Sequence, residues 1–152
     1  MSQPPAWAGE YVGIPFVDLG RDRTGCDCWG LVRLILAEQA GLDLPCWATA
    51  YASEANLAGV LGLAGQQKIE GPWRRIAPPA ERAFDVVELT QPVRMPGGVQ
   101  FMSIHAGLVV APGWLIHVER ATAALLVDYR NAWTVRSRVA GFWRHRELDD
   151  DR

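Results

Sequence analysis

The chain has 152 residues, 49% of them hydrophobic and seven of them tryptophan, enough for one compact domain with a sizeable core. A formal net charge of −2 gives no electrostatic reason to expect nucleic acid as the main partner. Met1 to Glu10 is Pro-rich and lacks a charged region followed by an apolar stretch, so it does not read as a signal peptide. Runs such as Leu34–Ala37 and Leu108–Ala111 are too short to span a bilayer. Synthesis is expected to end in the cytoplasm, and a target beyond it would need another means of delivery.

Taken in chain order, the segment through Gly25 is rich in Gly, Pro and Asp and reads as loop with one turn of helix. A helix is predicted from Cys28 to about Ala40, with Asp27 as its N-cap and Gly41 as its stop. Its many apolar positions make it central and largely buried. A weaker helix is predicted over residues 50–66, and Gly71–Arg82 reads as connecting loop. Strands are predicted at Phe84–Leu89, Gly98–Met102, Ala106–Val110, Leu115–Val118, Leu125–Tyr129 and Gly141–His145. Helices followed by strands imply an α+β domain, with N-terminal helices packed on an antiparallel sheet. The whole of 1–152 reads as a single domain, with 1–8 and 147–152 as flexible tails and Asp149–Asp151 solvated.

Three cysteines, Cys26, Cys28 and Cys46, are an odd number in a chain that reads as cytoplasmic, which argues against a disulfide framework. Cys28 falls in the first turn of the predicted helix, where unpaired N–H groups and the helix dipole favour an anion. A thiol so placed has a lowered pKa, its thiolate is a nucleophile, and the same N–H groups can stabilise an oxyanion. A buried structural cysteine is the plain alternative.

A nucleophilic thiol needs a base, and the chain has three histidines. His145, in a charged stretch near the C-terminus, reads as a surface residue. His105 and His117 lie in two short apolar runs joined by Ala111-Pro112-Gly113, a strong turn signal. A three-residue loop closed by Val110 opposite Trp114 places Gly107 across from His117 and His105 across from Glu119. The two histidines then share a face as diagonal neighbours, about 7–8 Å apart between backbones. A two-residue loop would put them on opposite faces. Reading Cys26, Cys28, Cys46, His105 and His117 as zinc ligands is less apt, because C-x-C is not the usual knuckle and the rest are scattered.

At these residues the sequence resembles a known family. Tyr11-Val12-Gly13-Ile14-Pro15-Phe16 followed by Gly25-Cys26-Asp27-Cys28-Trp29-Gly30-Leu31-Val32 resembles the opening motif of the NlpC-type cell-wall peptidases. Phe84-Asp85-Val86-Val87 resembles the family's Gly-Asp-Val-Val strand, with Phe in place of Gly. His105-Ala106-Gly107-Leu108 and Leu115-Ile116-His117 resemble its second and third motifs, and the likeness runs over roughly residues 8–146. The resemblance implies a papain-like α+β fold and a Cys28–His105–His117 triad without metal or cofactor. It further implies cleavage of peptidoglycan stem peptides, commonly between D-glutamate and a diamino acid. Trp29 and Gly141-Phe142-Trp143-Arg144 look like the branch found in phage tails and gene transfer agents, implying tail or baseplate proteins as partners. Phe16 stands where many relatives carry Tyr, and the loop at Arg21-Asp22-Arg23 is charged where relatives often have Gly-Gly.

Among the other polar and aromatic residues, Trp29 is expected to line the cleft and Asp27 to act as cap and loop anchor rather than catalytic acid. Glu119 reads as a solvated edge carboxylate with a tuning role as the alternative. Arg130, Arg136, Arg138, Arg144 and Arg146 read as a solvated basic face. The same triad chemistry serves amidases and acyltransferases, and a tail component with a masked triad is a further alternative.

Overall fold

Helix α1 (Cys28–Ala40) forms where the sequence places it, capped by Asp27 through a bond from the Gly30 amide and ended by Gly41 at φ 65°. The computed structural model describes residues 3–47, 65, 67 and 70–149. The helix predicted over 50–66 lies outside the described residues, apart from residue 65. A short ribbon, β1 (Arg21–Asp22) and β2 (Gly25–Cys26), precedes α1.

Behind α1 stands a six-stranded sheet of order β3-β8-β4-β5-β6-β7, antiparallel throughout. Its strands are β3 (Trp73–Ile76), β4 (Val86–Met95), β5 (Gly98–Ala111), β6 (Trp114–His117), β7 (Leu125–Asp128) and β8 (Val139–His145). Leu31, Val32, Ile35 and Leu36 of α1 bury against Val86, Leu108, Val110 and Ile116. The opposite face buries Val87, Leu89, Val109, Leu115 and Phe142, with Val135 of the short α2 (Trp133–Arg136) packed against them. The expected α+β plan of helix on antiparallel sheet is the one that forms, because alternate residues of β5 and β6 serve two apolar layers.

The strand boundaries differ from expectation in three places. Gly98–Met102 and Ala106–Val110 are parts of one strand, β5, whose partner β4 continues to Met95. Pro92 is tolerated in β4 because β8 pairs with it only from Val86 to Leu89, leaving β4 one ladder neighbour at Pro92. Residues 73–76, read as loop, form β3 by pairing with β8. Two exposed arginines in this four-residue strand hide any alternation.

The C-terminal region is less solvated than its charge suggests. His145, read as a surface residue, is buried, lies edge-on to Trp73 at 5.0 Å and accepts from the Glu147 amide. Asp149 is buried and paired through both oxygens with Arg74 rather than loose in a tail. Arg144, read on a solvated face, donates from Nε and Nη2 to the two Asp85 oxygens at 2.7 and 2.8 Å, both side chains being buried.

Phe84, where the resembled motif has glycine, has φ 76°. That conformation costs a non-glycine residue about 1–2 kcal/mol. Its amide donates to Val109 at 2.8 Å and its ring stacks on Trp7 at 5.6 Å, contacts that offset the strain.

The Asp85–Arg144 pair yields a stability test. Removing one partner strands the other charge inside, so Asp85→Ala or Arg144→Met should each cost about 3–5 kcal/mol in urea unfolding. The double variant should lose less than the sum of the two. Additive losses would show that the pair is not coupled.

Candidate active site

The hairpin that carries the two histidines uses a two-residue turn, Pro112-Gly113, closed by Ala111 opposite Trp114. Taken alone, that turn would place the histidines on opposite faces. A bulge at Val110 adds one residue to β5 and returns the pairing to Val109 opposite Leu115 and Leu108 opposite Ile116. The predicted register is thus reached by a different closure. Gly107 lies where a Cβ would come within 3.2 Å of the His117 Cβ, so the small residue leaves room for the imidazoles.

His105 Nε2 and His117 Nδ1 are 2.8 Å apart, and both side chains are buried. The sequence expectation that they meet is met. His105 Nδ1 is buried and has no hydrogen-bond partner among the described residues. Burial lowers both pKa values, that of His105 well below 6.5, with His117 and Arg138 adding to the effect. For His117, Glu119 works against burial and Arg138 with it. Both rings are therefore neutral at neutral pH and share one hydrogen. If His105 Nε2 carries it, Nδ1 presents a lone pair, the state that a general base requires.

Glu119, read mainly as a solvated carboxylate, sits at this pair instead. Its Oε1 lies 3.8 Å from both facing ring nitrogens and in close ion contact with Arg138 Nη2, though not aligned for a hydrogen bond. The diagonal register already put Glu119 near His105; no local signal in the sequence points to Arg138, which arrives from the chain before β8.

Cys28 opens α1 and is buried. Backbone bonds tie the start of α1 to the segment that follows His117. Phe16 N donates to Thr122 O at 3.1 Å, Ala124 N to Ile14 O at 2.8 Å, and Cys26 N to Pro15 O at 3.0 Å. Asp27, as expected of a cap and anchor, also accepts from Arg21 Nη1 at 2.7 Å. Arg21 in turn donates to the Gly20 and Cys46 carbonyls. The charged loop that departs from the resembled motif is therefore the tether of the helix start. Gly30 admits it: a Cβ there would lie 2.0 Å from Gly20 O.

The other candidates have definite surroundings. Phe16 lies under the Arg120 guanidinium at 4.9 Å. Trp29 stacks on Trp47 at 4.7 Å and donates from Nε1 to Pro45 O. Burial pushes the Cys26 thiol up to about 12, and its Sγ lies 3.1 Å from Asp22 O, so Cys26 stays protonated and is neither nucleophile nor ready metal ligand. His105, His117 and Glu119 offer ligand atoms within 4.8 Å of one another. The two ring nitrogens, 2.8 Å apart, are hydrogen-bonded to each other.

Solved structures carry the same architecture. The NlpC/p60 domain of the peptidoglycan hydrolase SagA matches at TM-score 0.53 and 23% identity, over 91% of this chain and 92% of that one. The fold is that of the NlpC/p60 domains. A Staphylococcus aureus protein described as similar to lipoprotein, NLP/P60 family, matches at TM-score 0.54 and 18% identity, over 91% of this chain and 38% of that one. No family model and no curated protein matches the sequence.

The depressed histidine values give a pH test. Unfolded histidines take up protons near 6.5, the folded pair only at lower pH, so stability is full above about 6.5 and drains away as pH falls through the folded values. The melting temperature should hold from pH 8 to 7 and drop toward pH 5, with a smaller drop in His117→Gln. An equal slope in wild type and variant would remove the histidine pair as its source.

Proposed function

We propose that the protein is a cysteine peptidase of the bacterial cell wall, with Cys28 as nucleophile, His105 as base and His117 as the residue that orients it. The observation that carries this reading is the buried His105–His117 hydrogen bond with His105 Nδ1 left over, in an NlpC/p60-type fold whose α1 begins at Cys28. His105 Nδ1 takes the thiol proton as Cys28 Sγ attacks the peptide carbonyl. Electrons move onto the carbonyl oxygen, which the amides at the α1 N-terminus are suited to stabilise. Collapse of this intermediate expels the amine, which leaves with the proton from His105, and a thioester remains. Water, deprotonated by the same nitrogen, then releases the acyl group and restores the thiol. Donation from His105 Nε2 to His117 keeps Nδ1 the basic atom throughout.

The SagA domain named above is described as belonging to a peptidoglycan hydrolase, which supports peptidoglycan as the substrate. The sequence motifs support the finer reading of a stem-peptide bond between D-glutamate and a diamino acid. Trp29 and Gly141–Arg144 support carriage by a phage-like tail to the wall.

The test is digestion of purified peptidoglycan by wild type and Cys28→Ser, with mass analysis of released fragments. Wild type should release stem peptides, and the variant should lose about 10⁴-fold or more of that activity. Equal release by both would remove Cys28 from the chemistry. A folded protein with neither activity would point to a tail component whose triad is masked.

A further inference from the structure

Glu119 is oddly placed for a residue without a function. Its Oε1 is buried without a hydrogen bond, equidistant at 3.8 Å from the two nitrogens that share the imidazole hydrogen. Too far to take that hydrogen, it is near enough for its charge to act on it. Arg138 keeps it there. Arg138 Nη2 is in ion contact with Glu119, Nε donates to Thr90 O at 2.8 Å, and the Arg138 carbonyl accepts from Thr90 N at 2.7 Å. The guanidinium is thus pinned to β4 independently of Glu119. Among the described residues, the charged groups facing the pair are Glu119 from the chain after β6 and Arg138 from the chain before β8, while β4 presents apolar Leu89 opposite His105.

We propose that Glu119 and Arg138 are positioning residues for the histidine pair: the carboxylate stabilises the imidazolium formed when His105 accepts a proton, and the guanidinium holds the carboxylate and moderates its charge. The inference rests on the assignment of His105 as the base. A buried imidazole with no anion nearby would resist protonation, and attack by the thiol would be slow. A carboxylate in direct contact would capture the shared hydrogen and could turn the wrong nitrogen toward the thiol. At 3.8 Å, with the Arg138 guanidinium in contact with it, Glu119 favours the charged state without competing for that hydrogen.

Imidazole nitrogen NMR tests this without requiring any cleavage. The chain has three histidines, and His145 on β8 serves as the remote reference. Glu119→Gln should move the titration of the His105–His117 pair down by about half a pH unit or more, with His145 unmoved. Arg138→Gln should move it the other way, a sign that general loosening would not give. Glu119→Asp, which keeps the charge, should lie nearer wild type than Glu119→Gln and guards against misfolding of the amide variant. In peptidoglycan digestion Glu119→Gln should lower kcat about tenfold or more with KM little changed, and shift the acid limb to lower pH. Pair titrations unchanged by Glu119→Gln, or displaced equally by Asp and Gln, would overturn the proposal. Shifted titrations in a protein that cleaves nothing would uphold the electrostatic link and count against the peptidase reading alone.

Discussion

The pairing of β5 with β6 is the constraint on which the site depends, because one residue of slip would turn His117 away from His105. The structure secures it with a bulge at Val110 that compensates the short Pro112-Gly113 turn. Apolar demand enforces the same alignment from both sides. Leu108, Val110 and Ile116 must meet α1, while Val109 and Leu115 must meet the opposite layer. A slip would exchange the two sets, so the core that stabilises the sheet also sets the histidine geometry. Placing the two histidines and folding the sheet are here one problem.

Burial sets the chemistry of that pair. A histidine in water would be partly charged near neutrality; these two are kept neutral by desolvation and share a hydrogen. Glu119 and Arg138 stand beside them with opposite effects, and both come from chain that follows or precedes a strand rather than from a strand itself. The rigid sheet supplies position, and the connecting chain supplies charge. The likeness to NlpC/p60 domains concerns the fold, at identities of 23% and 18%; the charged surroundings of the histidines are read from this chain alone.

Much of this was legible in the sequence where local chemistry decides structure. Asp27 and Gly41 are the residues that cap and end a helix, and α1 runs between them. His105 and His117 were paired through a turn signal and alternation, although Val110, not a third loop residue, makes the register work. What was not legible depends on distant partners. Trp73–Ile76 is a strand because β8 is there to pair with it, and Arg144 is buried because Asp85 is there to neutralise it. His145 and Asp149 lie in a stretch whose charge suggests solvent, and both are buried by contacts with β3. Glu119 was within reach of the register argument, but its partner Arg138 was not.

The loop packed on the start of α1 has a consequence for motion. The first turn of most helices frays, because its amides have no partners within the helix. Here Gly20 lies so close to Gly30 that no side-chain carbon fits between them, and Asp27 is held from both the helix and Arg21. Opening that turn would require the loop to lift away at the same time. An anion arriving at this end of the helix therefore meets dipoles that are already in place.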